Sequence, residues 1–291
     1  MISFFTTLIN GLSLGGVYAL IALGYTMVYG IAKMLNFAHG DIIMVGGYTI
    51  MVFMNVTGQP VLAMVFAVVT CLLCGIIIEK IAYKPLRGAS PLAVLITAIG
   101  VSYLLQSTAQ LVFGSASKIV VIADLGSVKF GSFEISVATI VTLAAAAAIM
   151  VALTLFVDHT KTGKAMIAVS EDKSAAQLMG ISVNRIITIT FAIGSALAGV
   201  AGVFYLLKSP NVSVQMGAMP GIKAFTAAVI GGIGSIPGAM LGGLLLGVIE
   251  TFCLAIPWLS SFTVAIEFAI LILILLVKPT GMLGKKTREK V

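Results

Sequence analysis

Charge is what this sequence has least of. Lys, Arg, Asp and Glu together make up 9% of the chain, hydrophobic residues make up 60%, and the mean hydropathy is +1.17. A water-facing surface cannot be built from so few charges, so lipid must be the main solvent. Histidine occurs only as His39 and His159, far apart and without a second ligand beside them, so neither a metal site nor a proton relay is expected. The three cysteines, Cys71, Cys74 and Cys253, all sit inside apolar runs. Cys71-x-x-Cys74 copies a redox spacing but has no βαβ context, which makes packing the better reading. No Ser-His-Asp set and no convincing carboxylate pair is present, so no catalytic residue and no cofactor is expected. The glycine-rich stretch Gly231–Gly238 lacks the following Lys-Ser/Thr of a phosphate loop, which excludes nucleotide binding there. The 17 basic residues are scattered between apolar runs, a pattern that excludes a nucleic-acid surface. Met1–Phe5 lacks the basic start of a cleaved signal peptide and is expected to stay in the mature chain.

What is present is a series of apolar runs, at about 8–32, 42–56, 61–78, 91–113, 137–157, 186–207, 221–235, 237–256 and 262–277. About 20 apolar residues span the hydrocarbon core as a helix, and the runs are continuous rather than alternating, which favours helices over a barrel. The expected fold is therefore all-α: one polytopic transmembrane helix bundle over 1–291, with eight or nine hydrophobic segments that include short or discontinuous helices. The segments 221–235 and 237–256 read equally as two short spans or as one re-entrant hairpin. Small-residue faces for close helix crossing occur at Gly11-x-x-x-Gly15, Ala198-x-x-x-Gly202, Gly238-x-x-x-Gly242 and Gly243-x-x-x-Gly247. No internal repeat is visible in the letters.

Thirteen of the 17 basic residues fall on one side if the loops are numbered in order. Lys33, the group Lys80, Lys84 and Arg87, the group Lys161, Lys164, Lys173 and Arg185, and Lys278 with Lys285, Lys286, Arg288 and Lys290 mark the cytoplasmic side. Lys118, Lys129, Lys208 and Lys223 are left for the other. The N-terminus and 114–136 are then outside, and the C-terminus is cytoplasmic, as expected of a multi-pass membrane protein.

The loop 158–185 is longer than a plain connection. Ser170 is expected to cap a short helix whose first turn holds Glu171 and Asp172, with Ala175, Ala176 and Met179 as its apolar face and Gly180 as its left-handed stop. A helix too short to span suits docking onto another protein. Two further segments are candidate parts of a pathway. Asn36, Phe37, His39 and Asp41 interrupt two apolar runs, with Asp41 able to cap the following helix. This stretch reads either as a helix break at membrane depth or as an ordinary cytoplasmic turn. Gly231, Gly232, Gly234 and Ser235 form a second break, with Ser235 as N-cap and Pro237 in the next first turn. Glu250 and Glu267 lie in the last apolar runs, where an ionisable group is a functional candidate, either in the pathway or paired against a partner. Glu79 beside Lys80 reads as a snorkelling pair.

Ala175-Ala176-x-x-x-Gly180 is similar to the coupling loop of ABC importer permeases, with Ser174 where Glu is frequent and without the usual Leu-Pro ending. The stretches from Asn10 to Leu20, from Leu35 to Asp41 and from Lys223 to Ser235 resemble the signatures of the high-affinity branched-chain amino acid permeases, and the likeness runs from about 8 to 278. The resemblance implies a permease subunit that imports leucine, isoleucine and valine and draws its energy from two ATPase subunits docked on 171–180. It also implies a second, similar but non-identical permease as heterodimer partner, a periplasmic or lipid-anchored solute-binding protein, and contact with membrane lipid. Urea or short amides are the alternative cargo within that family. An ion-coupled secondary transporter is the alternative class, and it needs several membrane-embedded ionisable groups near a break.

Overall fold

The computed structural model describes residues 2–123, 125–130 and 133–284. The apolar runs are helices, with bounds moved by a few residues: α1 Ile2–Ala32, α2 His39–Thr57, α3 Pro60–Ile78, α4 Pro91–Phe113, α5 Val137–His159, α8 Val183–Lys208, α9 Ala218–Gly231, α10 Ile236–Ala255 and α12 Thr263–Val277. Two helices, α6 Lys161–Glu171 and α7 Lys173–Leu178, fill the long loop, and α11 Pro257–Ser260 is a single turn. Among the described residues, seven helices are long and apolar enough to cross a membrane. The 14 residues of α9 and the 15 of α12 extend only about 21 and 22 Å, against a core of about 30 Å. Among the described residues the bundle is all-α but for two small antiparallel pairs. β1 (Lys118–Ile119) faces β4 (Asn211–Val212), and β2 (Ser127–Phe130) faces β3 (Phe133–Ser136). Proline at the first helical position and an extended residue before it start α3 and α4, and Ser90 accepts from the Ala93 N–H to close the latter.

Contacts between the ends sort the loops. Lys173 reaches the end of α1, Tyr83 reaches Leu35, Arg87 bonds Asn184, and Met282 bonds Ile230, so these segments share one end of the bundle. Lys208 reaches Asn10, and β1 pairs with β4, at the other. The first end collects Lys33, Arg87, Lys173 and Arg185; Lys285, Lys286, Arg288 and Lys290 lie outside the described residues. Lys223 departs from the expectation. It lies not in a loop at the other end but within α9, buried in the bundle, because the apolar run containing it begins at half depth.

An order hidden in the letters appears in the packing. α1 packs most extensively on α10, and α8 on α3; α9 lies on α1, and α2 on α8. Helices α1, α2 and α3 therefore correspond to α8, α9 and α10. α1 finishes at the basic end whereas α8 starts there, so the two triplets form an inverted repeat. The triplets meet at small residues, Gly24 against Gly194 and Gly40 against Gly217. The small-residue faces behave as expected, since Gly11 and Gly15 of α1 lie on the stretch from Gly243 to Val248 of α10.

Backbone contact of this kind has no room for a side chain. A Cβ on Gly15 would stand 2.7 Å from the Leu244 Cα and 2.8 Å from its carbonyl oxygen, whereas one on Gly100 of α4 would meet nothing within 4 Å. Gly15→Val is expected to destabilise the bundle by about 1–3 kcal/mol. Gly100→Val should leave the midpoint unchanged when both are unfolded in mixed micelles.

Candidate functional site

α1 does not pass into α2 by a surface turn. Lys33 takes the left-handed conformation (φ +58°), and 34–38 runs back into the bundle. The His39 ring then lies 4.6 Å from that of Tyr25, seven residues before the end of α1 and so about 10 Å inside. Of the two readings of this stretch, the helix break within the bundle is the one observed. α9 starts at the same depth, for Gly217 abuts Gly40. Two helix N-termini thus meet inside the protein, each presenting the positive end of a helix dipole.

The four residues expected at this break are all there, in different roles. Asn36 is buried, its Oδ1 accepting from the Tyr83 hydroxyl at 2.9 Å while its Nδ2 has no partner. Phe37 packs its ring 5.6 Å from Phe225 of α9. His39 is buried against Gly24, with Nε2 unpartnered. Asp41 is not the cap. Ala38 holds that position, and Asp41 sits in the first turn, where its carboxylate favours the helix dipole and accepts from Gln106 of α4 at 2.8 Å. Tyr83 belongs to a π-helical turn, Glu79–Tyr83, that extends α3. Glu79 is not a snorkelling partner of Lys80 but is fully buried, paired with Arg87 and accepting from the Thr188 hydroxyl at 2.7 Å.

The second break lies at the basic end, apart from the first. Ser235 accepts from the Gly238 N–H at 3.2 Å and caps α10, with Pro237 in its first turn. Gly232 (φ +107°) turns the chain against Gly281 and Gly284, while Gly231 accepts from the Leu283 N–H and Gly234 lies near Gly30. Tyr25, Tyr29, Asn36, Phe225 and Ile233 surround a gap between the two breaks that is too small to hold a water molecule.

Glu250 and Glu267 come together in a third place. Lys223 of α9 lies 2.7 Å from Glu250 and 3.2 Å from Glu267, and the Tyr18 hydroxyl donates to Glu250 at 2.7 Å. One ammonium thus faces two carboxylates. Burial strengthens each attraction but penalises the surplus negative charge. The cluster ties α1, α9, α10 and α12 together.

The long loop holds two helices where one was expected. Ser170 is not a cap. It lies in the last turn of α6 and donates to the Ile167 carbonyl at 2.7 Å. Asp172 takes the role, accepting from the Ser174 and Ala175 N–H groups at 2.8 and 3.0 Å, and Glu171 closes the preceding helix. Gly180 stops α7 in the left-handed region (φ +82°) as expected. The expected apolar face is divided: Ala176 is buried on the bundle, Ala175 is exposed, and Met179 is 82% exposed beside Leu178 at 89%. α6 holds the loop to the bundle through buried Gly163, Met166 and Val169, while the crowding of Lys173 by burial, Arg87 and Lys33 pulls its ammonium below the usual lysine range.

Sequence reasoning missed Tyr18, Tyr25, Tyr83, Gln106 and the inward role of Lys223. A lysine inside an apolar helix was the available signal for the last. It missed as well a cavity of about 320 Å³ between α2, α3 and α4, walled by Met44, Tyr48, Phe53, Thr70 and Phe113, with the Tyr48 and Phe113 rings stacked at 4.4 Å.

The family model described as "branched-chain amino acid transport system / permease component" matches residues 7–275. The chain is 43% identical to the high-affinity branched-chain amino acid transport system permease protein BraD of Pseudomonas aeruginosa, covering 98% of this chain and 97% of that protein. It is 44% identical to the permease protein LivH of the same kind of system in Escherichia coli K12, over 99% and 98%. A probable branched-chain amino acid transport permease of Methanocaldococcus jannaschii is 32% identical over 91% and 88%.

The charge count in the Lys223 cluster separates its members. Lys223→Met leaves two carboxylates without a counter-charge and is expected to destabilise the bundle by about 3–5 kcal/mol. Glu267→Gln keeps the shape and removes the surplus charge, so it should change stability by about 1 kcal/mol or less. Unfolding of the purified variants in micelles reads both.

Proposed function

Because the chain belongs to the branched-chain amino acid permease family, we infer that it is the transmembrane permease subunit of an ATP-driven importer that carries leucine, isoleucine and valine across the bacterial inner membrane. It is a transport component and not an enzyme. Residues 1–291 act as one translocation domain with 158–185 as its coupling loop, the basic end facing the cytoplasm and the N-terminus outside. Energy enters through two partner ATPase subunits, a second homologous permease completes the passage, and a periplasmic or lipid-anchored binding protein delivers the amino acid.

The observation that carries this reading is α7. A self-capped helix of six residues, projecting Leu178 and Met179 from the basic end, is a poor free surface and a good grip for another protein. The pathway runs past the first break, where Asn36, Phe37, His39 and Asp41 stand at the meeting point of two helix N-termini, and the second break, Gly231 to Ser235, lies at its cytoplasmic side. Two inward-facing N-termini suit the carboxylate of an amino acid, and the apolar rings around them suit its branched side chain. Glu250 and Glu267 brace the wall.

The test is uptake by the complete complex in proteoliposomes. Proline at position 180 removes the N–H that donates to Gln177 and cannot adopt φ +82°. Gly180→Pro, or reversal of Glu171 and Asp172 to Lys, should lower ATP-dependent leucine uptake about fivefold or more with insertion intact. Normal uptake in these variants, or ion-driven uptake by this chain alone, contradicts the assignment.

A further inference from the structure

We propose that Lys173 is the positioning residue through which α7 sets the helix break of the transport pathway. Its Nζ donates to the Ala32 carbonyl at 2.9 Å, joining the first residue of α7 to the last residue of α1. That carbonyl is one of the group left without partners at a helix C-terminus, where the dipole also favours a cation. The next residue is Lys33, the one non-glycine with positive φ among the described residues. A left-handed backbone at such a residue is disfavoured by about 1–2 kcal/mol and persists only where its surroundings hold it. The bond from Lys173 therefore falls on the peptide at which the chain turns back toward Asn36 and His39.

A second tie closes the arrangement from the far side of the loop. Asn184 and Thr188, in the first two turns of α8, bond Arg87 and Glu79, and Tyr83 of the same π-helical turn holds Asn36 and the Leu35 carbonyl. Segment 33–38 is thus held at its start by α7 and at its middle by the turn anchored to α8, so both ends of the loop after α6 act on it. Lys173 turns inward, away from exposed Leu178 and Met179, and is separate from the docking face. Burial, and then the like charges of Arg87 and Lys33 beside the α1 terminus, lower its hold on a proton.

The inference rests on the proposed ATPase docking and is tested in the complex copurified through this chain and reconstituted in proteoliposomes. Lys173→Met keeps the length of the side chain and removes the donor, and Lys173→Arg keeps a donor. The Met variant should retain its ATPase partner and its basal hydrolysis, while leucine uptake per ATP falls about fivefold or more. The Arg variant should restore most of the ratio. Hydrogen exchange over 33–42 should change between nucleotide-free and vanadate-trapped wild type, and stay constant in the Met variant. An unchanged uptake-to-hydrolysis ratio in Lys173→Met overturns the proposal and leaves the docking reading intact. Loss of the ATPase from that variant also overturns it, by making Lys173 part of the grip. If wild type copurifies no ATPase, the docking reading fails and this proposal falls with it.

Discussion

The structure depends on backbones being allowed to touch. In lipid, apolar side chains gain nothing from leaving their solvent, so helices associate through van der Waals contact and through polar groups that cannot be left alone. Here the contact is made where side chains are absent: Gly15 against Leu244, Gly24 against Gly194, Gly40 against Gly217. All three pairs lie between the inverted triplets, and the last of them lets two helix N-termini meet inside the bundle. A Cβ at Gly40 would fall 2.6 Å from the Gly217 carbonyl oxygen, so any larger residue pushes apart the two helix N-termini that meet there.

Polar groups then fix what the glycines permit. Segment 33–38 carries backbone groups through the interior without regular partners, and it is tied by Tyr83, by Lys173 and by the bond from the His39 N–H to the Asn36 carbonyl. The π-helical turn at Glu79 does similar work for α3. It widens the helix by a residue so that Glu79 faces Arg87 and Thr188 while Tyr83 faces Asn36. A short run of residues therefore joins the long loop at the basic end to the helix break some 10 Å within.

Much of this was legible in the sequence, and the failures share a cause. Apolar runs located the helices, and Gly180 and Ser235 mark ends where local chemistry decides. Depth is not a local property. Lys223 was placed in a loop because it opens an apolar run, whereas that run begins halfway through the bundle after an extended descent from the end of α8. The α7 cap was misassigned between two residues that both suit the role; Ser170 lost because α6 continues through it, held by Met166 and Val169 on the bundle. The inverted repeat left no trace in the letters, since it is carried by which helices touch and not by which residues recur.

The Lys223 cluster bears on how the protein is energised. An ion-coupled carrier needs embedded ionisable groups that are free to exchange a cation between two states, and Glu250 and Glu267 were the sequence's candidates. Both are instead bound to an ammonium that belongs to the chain, and Glu250 also accepts from Tyr18. A cation arriving from solution would have to displace Lys223, leaving that charge buried and unpaired at a penalty of several kcal/mol. The cluster is thus suited to bracing α9 against α10 and α12 while the movement that carries solute originates elsewhere. At the basic end, α7 offers two exposed apolar side chains and a direct bond to the last residue of α1, where the chain turns back into the bundle.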